Sequence, residues 1–173
     1  MFVSAANLGD VPKIQRLQTL AIHELQKGYL DDAQIKASEA SMGLDTQLIS
    51  DGTYFCVFDG ETLVGCGGWS YRATLYGGNH SAGRSARELD SATDRARIRA
   101  MYTHPDHARR GIGRLILDRS EAAAKARGFT GLEMAATEAG RPFYARCGYR
   151  VENKFFDDKG GVPVPLYTMI KTI

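Results

Sequence analysis

Ala100-Met101-Tyr102-Thr103-His104-Pro105-Asp106-His107-Ala108-Arg109-Arg110-Gly111-Ile112-Gly113-Arg114 is the stretch that decides how this chain reads. Ala96 to Thr103 is a strand candidate, Pro105 interrupts it, and Gly111 and Gly113 stand where a helical pattern begins. That pattern runs to about Arg127 and puts Ile112, Leu115, Ile116, Ala122, Ala123 and Ala126 on its buried stripe, with Gly128 as its C-terminal cap. The first N–H groups of a helix have no intrahelical partner, and aligned peptide dipoles place about half a positive charge there. Glycines at 111 and 113 let a ligand approach the backbone, and Arg109, Arg110 and Arg114 add charge. Together these features make a pyrophosphate seat.

Nucleotide sites of two other kinds use helix starts in the same way. A P-loop needs GxxxxGK[ST], a run this sequence does not contain. A dinucleotide fingerprint needs Gly or Ala where Ile116 stands, and a shorter connection from strand to glycine. Only Glu133, near the expected place of a ribose-binding acid, favours it.

Outward from this turn the chain alternates strand and helix patterns. Towards the N-terminus, Phe2 to Ala5 is a short apolar strand. Asp10 is expected to cap a helix in which Val11 and Pro12 form the first turn. Ile14, Leu17, Leu20, Ala21 and Leu25 recur along it, and Gly28 ends it. A second helix is expected from Asp31 to about Ala40. Thr53 to Phe58 is β-branched and aromatic, Asp59-Gly60 signals a hairpin, and Thr62 to Trp69 returns. Glycines 65, 67 and 68 imply a bulge or a close neighbour. Residues 76–95, rich in Gly, Ser, Arg and Asp, read as a long mobile loop, a flap over the acceptor side. Beyond the central helix come a strand over Gly131 to Thr137, a short helix over Arg141 to Cys147 and a strand over Tyr149 to Phe156. Val162 to Ile170 closes the sheet, with Pro163 and Pro165 marking an edge or an irregular start. No repeat or linker divides residues 1–173, so one α/β domain is expected.

The composition is that of a soluble globular chain, 43% hydrophobic and 24% charged, and its net charge of +2 supplies no global field for nucleic acid. Positive charge is instead local, with Arg95, Arg97, Arg99, Arg109, Arg110 and Arg114 close in sequence. No apolar run approaches the roughly 20 residues needed to span a bilayer, so neither membrane nor nucleic acid is an expected partner. Cys56, Cys66 and Cys147 share no CxxC spacing and read as free thiols in a reducing cytoplasm. His104 and His107 are spaced i, i+3 but have no matching ligand cluster, so no metal site is expected.

Two motifs carry a family resemblance. Thr103-His104-Pro105, followed by Arg109-Arg110-Gly111-Ile112-Gly113 and Leu115, resembles the acetyl-CoA-binding motif of the GNAT acetyltransferase superfamily. Phe143-Tyr144-Ala145-Arg146-Cys147-Gly148-Tyr149 resembles that family's FYxxxGF/Y signature, in the right order and at the right distance. The resemblance implies an α/β fold with a mixed, mostly antiparallel sheet of about six to seven strands flanked by about four helices. It implies acetyl-CoA as co-substrate and transfer of its acetyl group to a primary amine, most simply a small molecule, by direct attack. The cofactor-binding residues it implies are Met101, Tyr102, Thr103, Arg109, Arg110, Gly111, Ile112, Gly113 and Arg114. The strand at Met101 to Thr103 is to splay from its neighbour, and Tyr144 is to protonate the leaving thiolate. Homodimers are common in the family resembled.

The sequence also departs from the family pattern. Ala108 stands where Gln or Arg is usual, Thr137 stands where many members carry Asn, and residues 96–99 offer no carboxylate. The general base is therefore open among Glu133, Asp94 and a water chain. Tyr29, Trp69, Tyr71 and the 76–95 loop are the candidates for the acceptor pocket, although Trp69 reads equally well as core. The alternative function is a catalytically weak acyl-CoA-binding module used for sensing or partner contact.

Overall fold

A computed structural model describes residues 1–173. The strands are β1 (Phe2–Ala5), β2 (Tyr54–Asp59), β3 (Thr62–Ser70), β4 (Ala96–Thr103), β5 (Gly131–Thr137), β6 (Arg150–Asp157) and β7 (Val164–Thr172). They form one sheet in the order β1-β2-β3-β4-β5-β7-β6, antiparallel throughout except for the parallel pair β4–β5. Five helices accompany them: α1 (Val11–Leu25), α2 (Asp32–Ser38), α3 (Thr46–Ser50), α4 (Ile112–Ala126) and α5 (Arg141–Arg146).

Side chains alternate between the faces of a strand, and both faces of this sheet are covered. Tyr54, Cys56 and Phe58 of β2 pack with Ile14, Leu17, Ala21 and Ile22 of α1. Phe55 joins Trp69, Ile98, Leu132 and Met134 beneath Leu117 and Ala124 of α4. This two-sided burial makes β2 a continuous apolar run rather than an alternating one. The β3 glycines serve close packing. A Cβ at Gly65 would lie 2.3 Å from Cγ2 of Ile112, and one at Gly68 would lie 2.1 Å from the Thr53 carbonyl oxygen.

Several expectations need correction. Asp10 does not cap α1; its carboxylate turns back to Asn7, whose own side chain caps a short 3-10 turn over Leu8–Asp10. The buried line of α4 is Ile112, Ile116, Leu117, Ser120 and Ala124, while Leu115 is exposed. Ser120 is tolerated on that line because its hydroxyl donates to the Ile116 carbonyl at 2.9 Å. β7 is an interior strand, not an edge. Its first residues, Val164 and Pro165, extend past the end of β5 and pair only with β6, so the proline stands at the irregular start of the strand.

The 76–95 loop is tied down along its first half. The Tyr76 hydroxyl donates to Asp157 at 3.0 Å, the Ser81 hydroxyl to the Ala40 carbonyl at 2.8 Å, and Arg84 to Asp45 at 2.7 Å. Arg99 reaches from β4 to the Gly77 carbonyl at 2.7 Å. A flap with these anchors is a wall.

Candidate active site

β4 and β5 pair only at their starts, Ala96 with Leu132 and Arg97 with Glu133, and then separate. The parting follows a bulge. Cys66 stands opposite Tyr102 and Gly68 opposite Arg99, so β4 carries one extra residue against β3. Ala100 takes up the bend with a φ of 49°, in the left-handed region that a residue with a Cβ seldom adopts. Its carbonyl, turned out of the ladder, accepts the Tyr54 hydroxyl at 2.7 Å. Tyr54 in turn accepts a bond from Gln18 at 3.1 Å. Replacing Tyr54 by Phe should orphan that carbonyl and the buried Gln18 amide and lower stability by about 1 to 3 kcal/mol. Urea unfolding tests this, and an unchanged midpoint would mean the bulge needs no support from the phenol.

The parted strands open into a cavity of about 600 Å³. One end is built by Ala108, Arg109, the start of α4 and α5. The other is built by the end of α1, Ser38, Ser41 to Gly43, Leu75 to Gly77, Asp157 and the start of β7.

At the first end, Arg109 and Gly111 both have left-handed backbones, with φ of 63° and 83°. Consecutive turns of this kind point N–H groups into one concavity. Gly111 provides no side-chain cap to α4, and Leu115 is the first residue of the helix whose N–H finds a carbonyl, that of Gly111 at 3.0 Å. The N–H groups of Ile112, Gly113 and Arg114 are left to a ligand. A Cβ at Gly111 would meet nothing, so the approach is open. These orphan donors and the guanidinium groups of Arg109 and Arg114 fit a pyrophosphate.

Met101, Tyr102, Thr103, Arg109, Gly111, Ile112, Gly113, Arg114 and Tyr144 all line the cavity. Arg110 does not; its guanidinium lies 3.6 Å from Asp59 on the outer side of the turn. Tyr144 is half-buried, its ring edge-on to Phe143 and Tyr149 at 5.1 and 6.0 Å. Its hydroxyl has no partner within the chain, and its desolvated setting holds the phenol above its ordinary pKa, so it keeps its proton. Thr137 lines the cavity too, its hydroxyl oxygen accepting the Gly140 N–H at 3.0 Å.

Other sequence candidates lie elsewhere. Glu133 is paired with Arg97, and Asp94 accepts the Asp90 N–H at 2.8 Å; neither reaches the cavity. Trp69 and Tyr71 are core residues, with Trp69 edge-on to Phe129 at 6.2 Å, whereas Tyr29 does line the cavity. All of the clustered arginines but Arg109 are ion-paired: Arg95 with Glu152, Arg97 with Glu133, Arg99 with Asp45, Arg110 with Asp59 and Arg114 with Asp118. His104 accepts the Asp106 N–H, and no group of three His, Cys, Asp or Glu side chains is placed to hold a metal. The three cysteines are unpaired and buried, and burial pushes the Cys56 thiol up to about 12 and Cys66 further, so neither is a thiolate.

Sequence reasoning missed Gln26, Ser41 and Asp157 on the second end and the bond of Tyr54 to the bulge. Only Asp157, one residue past the expected end of its strand, was within reach of a local signal.

The chain belongs to the acetyltransferase (GNAT) family, whose sequence profile matches residues 16–149. No curated protein matches it in sequence. Among solved structures it is similar to a GCN5-related N-acetyltransferase from Rhodopseudomonas palustris, at 19% identity and a TM-score of 0.70, covering 99% of this chain and 95% of that one. It is also similar to the PaiA N-acetyltransferase from Thermoplasma acidophilum in complex with coenzyme A (14%, 0.67, 99% and 98%). The ribosomal-protein-S18-alanine N-acetyltransferase from Escherichia coli is a further neighbour (14%, 0.60, 99% and 93%). At these identities the likeness concerns the fold. No helix is long and apolar enough to cross a membrane.

Proposed function

We propose that this protein transfers the acetyl group of acetyl-CoA to a primary amine of a small molecule, with Tyr144 as the proton donor to the leaving sulfur. The observation that carries the reading is the uncapped start of α4, with Arg109 and Gly111 left-handed before it, opening into the same cavity as Tyr144. Bound there, acetyl-CoA would supply an acetyl group already activated as a thioester. Ile112, Gly113 and Arg114 would hold the pyrophosphate through their N–H groups, helped by Arg109. The parted edge of β4 at Met101 to Thr103 offers backbone groups to the pantetheine arm and to the acetyl carbonyl. A phenol holds its proton at neutral pH even at its ordinary pKa of about 10, and so has one to donate. The anchored 76–81 segment supports a small acceptor over a polypeptide, because it walls the amine end. The unpaired buried cysteines support a reducing compartment such as the cytoplasm.

Acetyl-CoA or CoA should raise the melting temperature, since a ligand at a hundred times its Kd adds about 2.7 kcal/mol to native-state stability. NAD should not. A shift with NAD and none with CoA would overturn the assignment.

A further inference from the structure

Gln26 closes the C-terminus of α1 and is 3% exposed. Its Nε2 donates to the Ile22 carbonyl at 3.2 Å and to Oγ of Ser38 at 3.0 Å. A carbonyl can only accept, so the amide orientation is fixed and Oε1 is the atom left over. That oxygen is buried without a donor, and Gln26 lines the acceptor end of the cavity. A buried acceptor with no donor is costly, and a ligand N–H removes the cost.

No group of the chain supplies that hydrogen. The Ser38 hydroxyl already donates to the Ile35 carbonyl at 2.7 Å, and those of Ser41 and Tyr76 both go to Asp157. Asp157 is itself partly compensated by Lys159, whose Nζ lies 3.4 Å away. Arg99, the cation on this wall, is paired with Asp45 at 2.9 Å. The wall thus holds one unmet acceptor, one carboxylate and no unpaired cation among these groups.

We propose that this end of the cavity is a subsite for a second N–H donor on the acceptor, held by Oε1 of Gln26, so that the preferred substrates are diamines. The inference rests on the acetyl-transfer reading. It assigns one amine to the thioester and the other nitrogen to Gln26, in the field of Asp157. An acceptor with a carboxylate at that position meets two acceptors and no free cation, and is rejected.

Three probes of one chain length separate the possibilities: tetramethylenediamine, butylamine and γ-aminobutyrate. Calorimetric binding to the CoA-loaded protein and kcat/KM for acetylation are both read. The diamine should bind, and be acetylated, on the order of tenfold better than butylamine, the effect of one added hydrogen bond to a buried acceptor. γ-Aminobutyrate should fall below butylamine. In Gln26→Met, which keeps the side-chain length without the acceptor, the diamine preference should vanish while CoA affinity, set at the far end of the cavity, stays as it was. Equal binding of diamine and butylamine by the unaltered protein overturns the subsite, whatever the variant does, and leaves acetyl transfer standing if both are turned over. A preference that survives in Gln26→Met also overturns it. Failure to bind CoA at all would overturn the acetyl-transfer reading, and the subsite with it.

Discussion

Replacing Tyr144 by Phe is expected to lower kcat by about 10² to 10⁴, the usual contribution of a positioned general acid. In barrier terms that is about 2.7 to 5.4 kcal/mol. The substitution removes one hydroxyl and keeps the ring that packs edge-on to Phe143 and Tyr149. That hydroxyl makes no bond within the chain, so neither stability nor CoA affinity has a reason to change. This separates the chemical role from a packing role: a tyrosine that only packs would leave both the melting curve and kcat unchanged. The measurement is kcat at saturating acetyl-CoA, with CoA affinity determined separately. Undiminished kcat would remove Tyr144 from the mechanism.

The end of the cavity built by residues 101–114 was legible because it is local in sequence, whereas Tyr144 entered only through the resemblance of residues 143–149 to a family signature. Residues 101–114 form one strand, turn and helix start, and their spacing carries their geometry. The observed bounds of β4 and β5 coincide with the expected ones for the same reason, since turn residues flank both. The acceptor half is different. Gln26, Ser41, Tyr76 and Asp157 come from four distant segments, and only the folded sheet brings them to one wall. α3 escaped notice because five residues are too few for a helical period; it is set by the Asp45 carboxylate accepting the Gln47 N–H at 3.0 Å. Trp69 was placed in the acceptor pocket as one of two readings. A strand residue's face depends on register, and the pairing of Trp69 with Ile98 puts it on the α4 side. The loop composition of 76–95 suggested motion, but composition says nothing about the buried partners that hold a loop. Those partners centre on Arg99, which had been visible only as one more arginine in a basic run.

Arg99 therefore gives the second large effect. Its side chain and that of Asp45 are each 2% exposed, and they bond at 2.9 Å. The same guanidinium donates to the carbonyls of Thr74 at 3.1 Å and Gly77 at 2.7 Å, while Asp45 also accepts from Arg84 and caps α3. Burial alone disfavours the charge on Arg99, lowering its pKa, and Asp45 opposes that shift. Removing one partner of such a pair strands the other, at about 3 to 5 kcal/mol. Arg99→Met should cost close to that range in urea unfolding, since it also orphans the buried Thr74 carbonyl and the half-buried Gly77 carbonyl even though Arg84 remains for Asp45. Asp45→Asn should be no milder, because it leaves Arg99 and Arg84 facing each other with reduced compensation. The loss has a functional direction as well. Gly77 and Tyr76 form part of the acceptor wall, so freeing them should raise the amine KM while CoA affinity, set at the far end by α4, holds. Hydrogen exchange supplies the local readout, with faster exchange of the amides between Thr74 and Ser85. A cost below about 1 kcal/mol, within the range of a surface ion pair, together with unchanged exchange, would show that the bonds of Tyr76 to Asp157 and Ser81 to Ala40 hold the wall without Arg99.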